Sequence, residues 1–197
     1  MSTEQSAKNK SFQSNREKIL AIASGGAALA LSFVLSRIVI YRMPMGGSLT
    51  PASMLPLLLF AMAFGPAWGL GATFVMALLQ LIGGYLLFPL QVILDYILPF
   101  TGFGLVGILW DKNNHSRNLL KRIKKISYIK AAIMTVVCYL IQLTSSVLSG
   151  VIFYAEYAGD QNVWVYSITY NASFVIPECI ITLCVMAAVF ALARKSE

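Results

Sequence analysis

One carboxylate lies inside a long apolar stretch of this chain, in the run Tyr85-Leu-Leu-Phe-Pro-Leu-Gln-Val-Ile-Leu-Asp95-Tyr96. An ionised side chain at the centre of a membrane helix costs about 2.5–3.5 kcal/mol on insertion scales, so such a group usually faces a protein cavity and has a partner. Asp95 therefore has two interpretations. It lines a ligand site, or it forms a structural ion pair with Arg42, the one cation expected on the same side of the membrane.

Aromatic and polar side chains gather on the side of the membrane where Asp95 is expected. They are Tyr85, Tyr96, Tyr154, Glu156, Tyr157, Asp160, Trp164, Tyr166, Tyr170 and Asn171. Aromatic faces attract cations by about 0.5–1 kcal/mol when exposed and by more when desolvated, and a carboxylate in a dry pocket adds a charge-assisted hydrogen bond. The set predicts a site for a small, flat, cationic or amine-bearing ligand that enters from outside. For each aromatic residue the alternative is the belt of Tyr and Trp found at membrane interfaces.

A second carboxylate, Glu178, follows Pro177 in the middle of the last apolar run. A carboxylate at that depth is a functional candidate by default. The alternative is a structural polar contact, for which Arg37 is the only visible partner. No Walker A, HExxH or GxSxG motif accompanies the acids, so we expect no catalytic residue, metal or cofactor. An intramembrane enzyme that uses Asp95 and Glu178 remains a minor alternative.

Small residues mark one face of the first apolar run. Ala23, Gly26, Ala27 and Ala30 follow the i, i+3, i+4, i+7 spacing of a helix face. Because packing rather than hydrophobicity drives helix association in lipid, such a face lets another helix approach closely. It predicts either docking to a partner membrane protein or a contact inside the same bundle.

The composition predicts an all-α integral membrane protein. Of the 197 residues 58% are hydrophobic and only 12% are charged, whereas soluble domains carry about 25% charged residues. Apolar runs separated by Gly, Pro and polar segments predict a six-transmembrane-helix bundle. The predicted spans are residues 17–41, 51–64, 67–88, 90–110, 131–154 and 165–193. Residues 1–16 are expected to form a disordered cytoplasmic tail, and residues 17–197 a single six-helix membrane domain.

Basic residues set the predicted orientation. They cluster before the first span, between residues 112 and 130, and after the last span. With six crossings these three clusters fall on one side, which the positive-inside rule makes cytoplasmic, so both termini are predicted to be cytoplasmic. The net charge of +7 is then a topology signal with anionic lipid as its contact, rather than a signal for nucleic acid.

Four segments resemble the thiamine-specific substrate-binding (S) component of energy-coupling factor (ECF) vitamin transporters. The segments are Met43-Pro-Met-Gly-Gly-Ser-Leu-Thr-Pro-Ala-Ser-Met54, Gln91-Val-Ile-Leu-Asp-Tyr96, Ser149-Gly-Val-Ile-Phe-Tyr154 and Trp164-Val-Tyr-Ser-Ile-Thr-Tyr-Asn171. The resemblance covers nearly the whole chain in order and length. It implies a multi-pass protein of the bacterial plasma membrane that binds thiamine on the outer side. Its implied partners are a transmembrane coupling (T) subunit and two cytoplasmic ATPase subunits.

The same resemblance implies a set of substrate-binding residues. The set comprises Tyr85, Asp95, Tyr96, Ser146, Tyr154, Tyr166 and Asn171. Two of these depart from the family pattern, since Ser146 stands where a His is expected and Tyr154 where a Trp is expected. The resemblance also implies that the small-residue face docks the coupling subunit. The pair Gly46-Gly47 predicts a first loop, residues 42–50, that closes over the ligand.

Three alternatives stay open. The first is an S component for a thiamine precursor or another vitamin. The second is the intramembrane enzyme described above, and the third is a structural membrane subunit whose partner surface is the first span.

Overall fold

The computed structural model describes residues 3–44 and 46–195, with side chains from Asn15 onward. Residues 1 and 2 of the predicted tail, Met45 of the first loop and residues 196–197 lie outside the described part. The helices are α1 (Thr3–Arg37), α2 (Leu55–Phe64), α3 (Pro66–Gln80), α4 (Pro89–Val92), α5 (Leu98–Gly102), α6 (Leu119–Ile123), α7 (Tyr128–Phe153) and α8 (Val163–Lys195).

Four helical segments of the described chain are long and apolar enough to cross a membrane. They are Asn15–Arg37, Pro89–Leu109, Tyr128–Phe153 and Val163–Lys195. The segments α2 and α3 are apolar but shorter. The prediction of a helical membrane protein is therefore confirmed. Six crossings and cytoplasmic termini stay predictions, because within the described residues only four helices have the length of a full span.

Helix α2 is the centre of the bundle. Nine of its ten residues are buried, and at 1.5 Å per residue the helix is only about 15 Å long. It packs against α1 and α3, and the turn at Gly65 that connects it to α3 is the predicted one. Because α2 is surrounded by other helices, its apolar side chains form the protein core rather than a surface toward lipid.

The segment that carries Asp95 is not a regular helix. Between α4 and α5 the residues Ile93–Ile97 form a π-helical turn, and a 3₁₀ helix, Phe103–Leu109, follows α5. Pro99 has no N–H to bond the carbonyl of Asp95, so a regular α-helix is interrupted at this point. Single π-helical turns are frequent at functional sites, and this one presents Asp95 to the interior of the bundle.

The first loop contains a small hairpin that the sequence analysis did not predict. Strands β1 (Tyr41–Arg42) and β2 (Ser48–Leu49) pair antiparallel, with Tyr41 opposite Leu49 and Arg42 opposite Ser48. The sequence analysis predicts an all-α protein with a loop at residues 42–50, and a pattern of long apolar runs gives no signal for a pair of two-residue strands inside such a loop. The hairpin gives this loop a fixed backbone shape.

The N-terminal segment also differs from the expectation. Helix α1 begins at Thr3, so residues 3–16 are helical where the sequence analysis expects a disordered tail. Ala, Glu, Gln and Lys are good helix formers, and extending an existing helix requires no new nucleus. The division into a cytoplasmic tail and one membrane domain stays a prediction.

The basic loop contains one buried cation. Arg122 is only 2% exposed, and its Nη2 lies 2.7 Å from Oε2 of Glu17 on α1. Arg122 also donates through Nε to the carbonyl of Ser116, at 2.6 Å, and its guanidinium lies 4.4 Å from the ring centroid of Phe64 on α2. Arg122 therefore links α1, α2 and the loop before α6.

Candidate ligand-binding site

A cavity of about 470 Å³ opens between α1, the first loop, the segment around Asp95, α7 and α8. All seven residues of the predicted substrate-binding set line it. They are Tyr85, Asp95, Tyr96, Ser146, Tyr154, Tyr166 and Asn171. Pockets for small molecules usually measure about 300–1,000 Å³, so the cavity is large enough for one vitamin-sized ligand. Within the described residues no group of three His, Cys, Asp or Glu side chains is placed to hold a metal.

Asp95 is oriented by an amide rather than by a cation. Nε2 of Gln91 donates to Oδ2 of Asp95 at 2.6 Å and to the carbonyl of Tyr85 at 3.0 Å. Oε1 of Gln91 accepts from the N–H of Leu87 at 3.1 Å, and Gln91 is only 1% exposed. The alternative of an ion pair with Arg42 is wrong, since the ion pairs of the described chain involve Glu17 alone among its acids. The charge of Asp95 is therefore available to a ligand.

Tyr96 connects the carboxylate segment to the chain that follows α3. The N–H of Tyr85 donates to Oη of Tyr96 at 2.8 Å, and Oη of Tyr96 lies 3.4 Å from the carbonyl of Tyr85. Together with the bonds of Gln91, these contacts bring Tyr85, Asp95 and Tyr96 to one wall of the cavity. That wall is built from two chain segments rather than from one helix face.

Tyrosine rings form two groups of neighbouring, tilted rings at the cavity. Tyr85 and Tyr154 have ring centroids 6.4 Å apart, and Tyr154 lies 6.2 Å from Tyr157. On α8, the ring of Tyr166 lies 5.9 Å from that of Tyr170. Burial, followed by the nearby charge of Asp95, raises the pKa of Tyr154, so its hydroxyl stays protonated at neutral pH and remains able to donate.

Asn171 and Ser146 meet where α7 and α8 cross closely. Nδ2 of Asn171 donates to the carbonyl of Ser167 at 2.9 Å and to that of Ser146 at 3.4 Å. A Cβ on Gly150 would lie 2.2 Å from Oγ of Ser167, so only glycine permits this approach of the two helices. With its nitrogen used by the protein, Asn171 has its amide oxygen left for a ligand.

The first loop lies against α8. Oη of Tyr170 donates to the carbonyl of Gly46 at 2.9 Å, and Oγ of Ser173 lies 3.8 Å from Sδ of Met43. Gly47 has φ +82°, and a Cβ there would lie 2.7 Å from the ring of Phe174. Side chains are strained at that φ and have no space beside Phe174, so glycine is required. The loop thus lies over one side of the cavity.

Glu178 has hydroxyl partners, not the cation considered in the sequence analysis. Oγ1 of Thr50 donates a short hydrogen bond to Oε1 of Glu178, and Oγ of Ser53 donates to the same oxygen at 3.0 Å. Arg37 instead donates to the carbonyls of Leu79 and Ile82, so the suggested Arg37 partner is wrong. Glu178 is 5% exposed and lines the cavity, and it joins α8 to the chain before α2.

The small-residue face of α1 is turned away from the bundle. Ala23, Gly26, Ala27 and Ala30 are all exposed, and no described atom lies within 4 Å of a Cβ placed on Gly26. The opposite side of α1, which carries the buried Ala21, packs on α2 and α3. The alternative of a contact within the bundle is therefore wrong, because nothing in the described chain covers this face.

Sequence reasoning missed two residues that shape the site. Gln91 was quoted only as part of a motif, although its position four residues before Asp95 is the helical spacing at which Gln and Asp side chains interact. Phe174 continues the i, i+4 spacing of Tyr166 and Tyr170, but a phenylalanine in an apolar helix carries no polar signal. Spacing identifies the first of these residues and only the tertiary fold identifies the second.

Comparison with known proteins gives consistent results. The family described as "Thiamine transporter protein (Thia_YuaJ)" matches residues 22–196. "Thiamine transporter ThiT" of Bacillus subtilis (strain 168) is 29% identical over 181 residues, covering 90% of this chain and 92% of that protein. "Thiamine transporter ThiT" of Lacticaseibacillus paracasei is 31% identical over 150 residues, covering 72% and 73%.

A solved structure shares the fold. The structure of ThiT from Listeria monocytogenes superposes with a TM-score of 0.72 at 19% identity, and the match covers 90% of this chain and 97% of that one. Both named relatives are transporters, which confirms the resemblance drawn from the four sequence segments. The chain therefore belongs to the thiamine transporter protein family, a family of multi-pass membrane transport proteins rather than enzymes.

Proposed function

We propose that this chain is the thiamine-binding S component of an ECF-type, ATP-driven importer. It binds thiamine from the extracellular side, and it hydrolyses no nucleotide and uses no cofactor. Two cytoplasmic ATPase subunits supply the energy for transport, and a transmembrane coupling subunit completes the path across the membrane. The proposal takes the ligand from the names of the relatives, and the family resemblance supplies the complex.

The observation that carries the proposal is the environment of Asp95. A carboxylate held by Gln91 and flanked by Tyr85 and Tyr96 lines a cavity of about 470 Å³ in a membrane protein. Thiamine has two flat aromatic rings, a permanent positive charge and an amine, so it matches both the charge of Asp95 and the aromatic walls. An uncharged ligand would leave the carboxylate of Asp95 without an opposite charge, so it would not offset the free-energy cost of an ionised group in the membrane.

Each predicted residue has a role in the proposal. Asp95 pairs with the positive charge or the amino group of thiamine. Tyr85, Tyr96, Tyr154 and Tyr166 flank the rings. Asn171, through its free amide oxygen, and Ser146, through its hydroxyl, hydrogen-bond the pyrimidine. The first loop closes the site, since its glycines and its contacts with α8 allow it to seat against Phe174.

The exposed face of α1 is proposed as the docking surface for the coupling subunit. Ala23, Gly26, Ala27 and Ala30 are all small and uncovered, which allows close packing by a partner helix. We expect Ala27→Leu to abolish thiamine uptake by cells while leaving thiamine affinity of the purified protein unchanged. Ala191→Leu, on an exposed part of α8, is the matched control and should transport normally. Uptake that survives Ala27→Leu contradicts docking at this face.

The ligand is tested directly by mass spectrometry. Protein purified in detergent from cells grown in rich medium should release thiamine on denaturation, in a ratio approaching one per chain. Release of only a pyrimidine precursor or of another vitamin would contradict thiamine as the substrate. The protein would still be an S component, with a different ligand. Absence of any small molecule, together with no binding of added thiamine, would contradict the proposal as a whole.

A further inference from the structure

A second cavity, of about 430 Å³, lies where two membrane-crossing segments end, and it shares no residue with the ligand cavity. It lies between residues 108–111 and residues 125–130, and we call it the interfacial cleft. One crossing segment, Pro89–Leu109, ends at the cleft, and the next, Tyr128–Phe153, begins beside it. The interfacial cleft is therefore at the level of the membrane surface, where lipid headgroups lie, rather than in hydrocarbon.

Two lysines and one acid line the interfacial cleft. Lys125 and Lys130 are exposed, and neither forms an ion pair within the described chain, whose ion pairs involve Glu17 alone among its acids. Asp111 also lines the cleft, and its Oδ1 accepts the N–H of Asn113 at 3.0 Å. With two cations against one carboxylate, the cleft has a net positive charge that the described residues do not neutralise.

An exposed apolar face of α7 leads from the interfacial cleft into the membrane. Ile133, Val137 and Leu140 follow Lys130 at spacings of three, four and three residues, which places them on one side of the helix. All three are exposed, and so is Ile108, which lines the cleft from the other segment. Because these residues belong to membrane-crossing segments, acyl chains cover them.

The interfacial cleft lies on a different side of the bundle from the face proposed to dock the coupling subunit. The small-residue face of α1 is turned away from α2 and α3. The 3₁₀ helix Phe103–Leu109, which ends at the cleft, packs on those same two helices. Helices α2 and α3 thus separate the two surfaces, so lipid rather than the coupling subunit is the expected neighbour of the cleft.

We propose that the interfacial cleft binds the headgroup of an anionic phospholipid. Lys125 and Lys130 pair with its phosphate, and Ser127, whose hydroxyl does not cap α7, donates to another phosphate oxygen. The acyl chains follow the apolar face that carries Ile133. Basic pockets between membrane helices suit lipid phosphates in this way, and a soluble phosphate would leave the apolar face unused. The proposal does not depend on which ligand the main cavity binds.

Native mass spectrometry of the full-length protein in detergent tests the proposal. The protein is titrated with phosphatidylglycerol and with zwitterionic phosphatidylcholine that has the same acyl chains. A lysine near the surface strengthens the attraction of an anionic lipid about fivefold, so the wild type should prefer phosphatidylglycerol about 10- to 30-fold. Lys125→Ala/Lys130→Ala should lose this preference. Lys112→Ala/Lys121→Ala removes the same charge from exposed positions outside the cleft and should keep it.

The outcomes distinguish the lipid from other occupants. Equal binding of the two lipids by the wild type would overturn the proposal, and so would an equal loss of preference in both double variants, which would indicate attraction by general charge. Displacement of phosphatidylglycerol by micromolar glycerol 3-phosphate would identify a soluble phosphate as the occupant. A Lys125→Ala/Lys130→Ala protein that keeps the lipid preference but no longer supports uptake in cells would assign the lysines to an acidic protein partner.

The unfolding temperature in detergent shows whether the double variants fold. If Lys125→Ala/Lys130→Ala does not fold, Lys125→Gln/Lys130→Gln replaces it, because glutamine keeps a polar side chain and removes the charge. The same loss of preference for phosphatidylglycerol is then expected, and a retained preference would overturn the proposal.

Discussion

Replacement of Gln91 by Met removes the side chain that orients Asp95 and leaves the charge of Asp95 in place. Among the possible changes it separates these two contributions to binding most sharply. The variant keeps the side-chain length and the carboxylate, and it removes the bonds to Asp95, Tyr85 and Leu87. A hydrogen bond to a charged group contributes about 1.5–3 kcal/mol, and each neutral one about 0.5–1.5 kcal/mol. The three together give a loss of about 2.5–6 kcal/mol.

This loss should divide between stability and binding. The two neutral bonds hold the chain between α3 and α4, so their loss should lower the unfolding temperature in detergent. Freed from Gln91, Asp95 samples other rotamers, and we expect thiamine affinity measured by calorimetry to fall about tenfold or more, because the ligand must then order the carboxylate itself. Gln161→Met is the control. Unchanged affinity in a variant whose unfolding temperature has fallen would refute the view that Gln91 prepares Asp95 for the ligand.

Three further changes have defined outcomes. Gly150→Ala should force α7 and α8 apart at Ser167 and weaken thiamine binding about 5- to 150-fold by calorimetry, as expected if an overpacking cost of about 1–3 kcal/mol falls on the bound state; wild-type affinity would show that the helices yield. Arg122→Ala removes the bond to Glu17 and the contacts with Ser116 and Phe64, and should destabilise the protein by about 1.5–3 kcal/mol, seen as early thermal unfolding; a normal unfolding temperature would contradict the structural role. Glu178→Ala removes the hydroxyl contacts with Thr50, at the end of the first loop, and with Ser53, and should speed thiamine dissociation in stopped-flow fluorescence; an unchanged rate would mean that these contacts do not hold the loop.

Each of these variants has a matched control. Ala191→Leu places extra volume on an exposed part of α8 and should leave the binding of thiamine intact. Lys121→Ala removes an exposed cation next to Arg122 and should leave the unfolding temperature unchanged. Glu156→Ala removes an exposed loop carboxylate and should leave the dissociation rate unchanged.

The helical class could be predicted from the sequence because hydrocarbon leaves few choices. A chain with 58% hydrophobic and 12% charged residues must satisfy its backbone within helices, and the turn at Gly65 follows from Gly and Pro together. The lengths of the segments were less predictable. Residues 81–88 continue the apolar run of α3, yet they leave the helix, and Tyr85 lies in that irregular part. Hydropathy does not distinguish a helix from a chain that lines a cavity.

The residues that line the site could be predicted from the sequence, but the contacts between their side chains could not. Asp95 and the tyrosines were identified by residue type and by family resemblance, and they do line one cavity. The partners assigned to the acids were wrong, because a sequence shows that Arg42 and Arg37 exist but not where their side chains lie. Hydroxyl and amide partners, such as Thr50 for Glu178 and Gln91 for Asp95, give no signal in composition. Thr50 appears as a partner only once the helices are packed, whereas Gln91 is indicated by its spacing of four residues from Asp95.

The central claim is that the carboxylate of Asp95 recognises a cationic vitamin. Calorimetric titration of thiamine into wild-type protein, Asp95→Asn and Asp160→Asn tests it most directly, since Asp160 is an exposed loop carboxylate. The account predicts tight one-to-one binding to the wild type and to Asp160→Asn, and affinity reduced about 10- to 150-fold in Asp95→Asn, equivalent to a charged hydrogen bond of about 1.5–3 kcal/mol. Equal affinity of all three proteins for thiamine would contradict it.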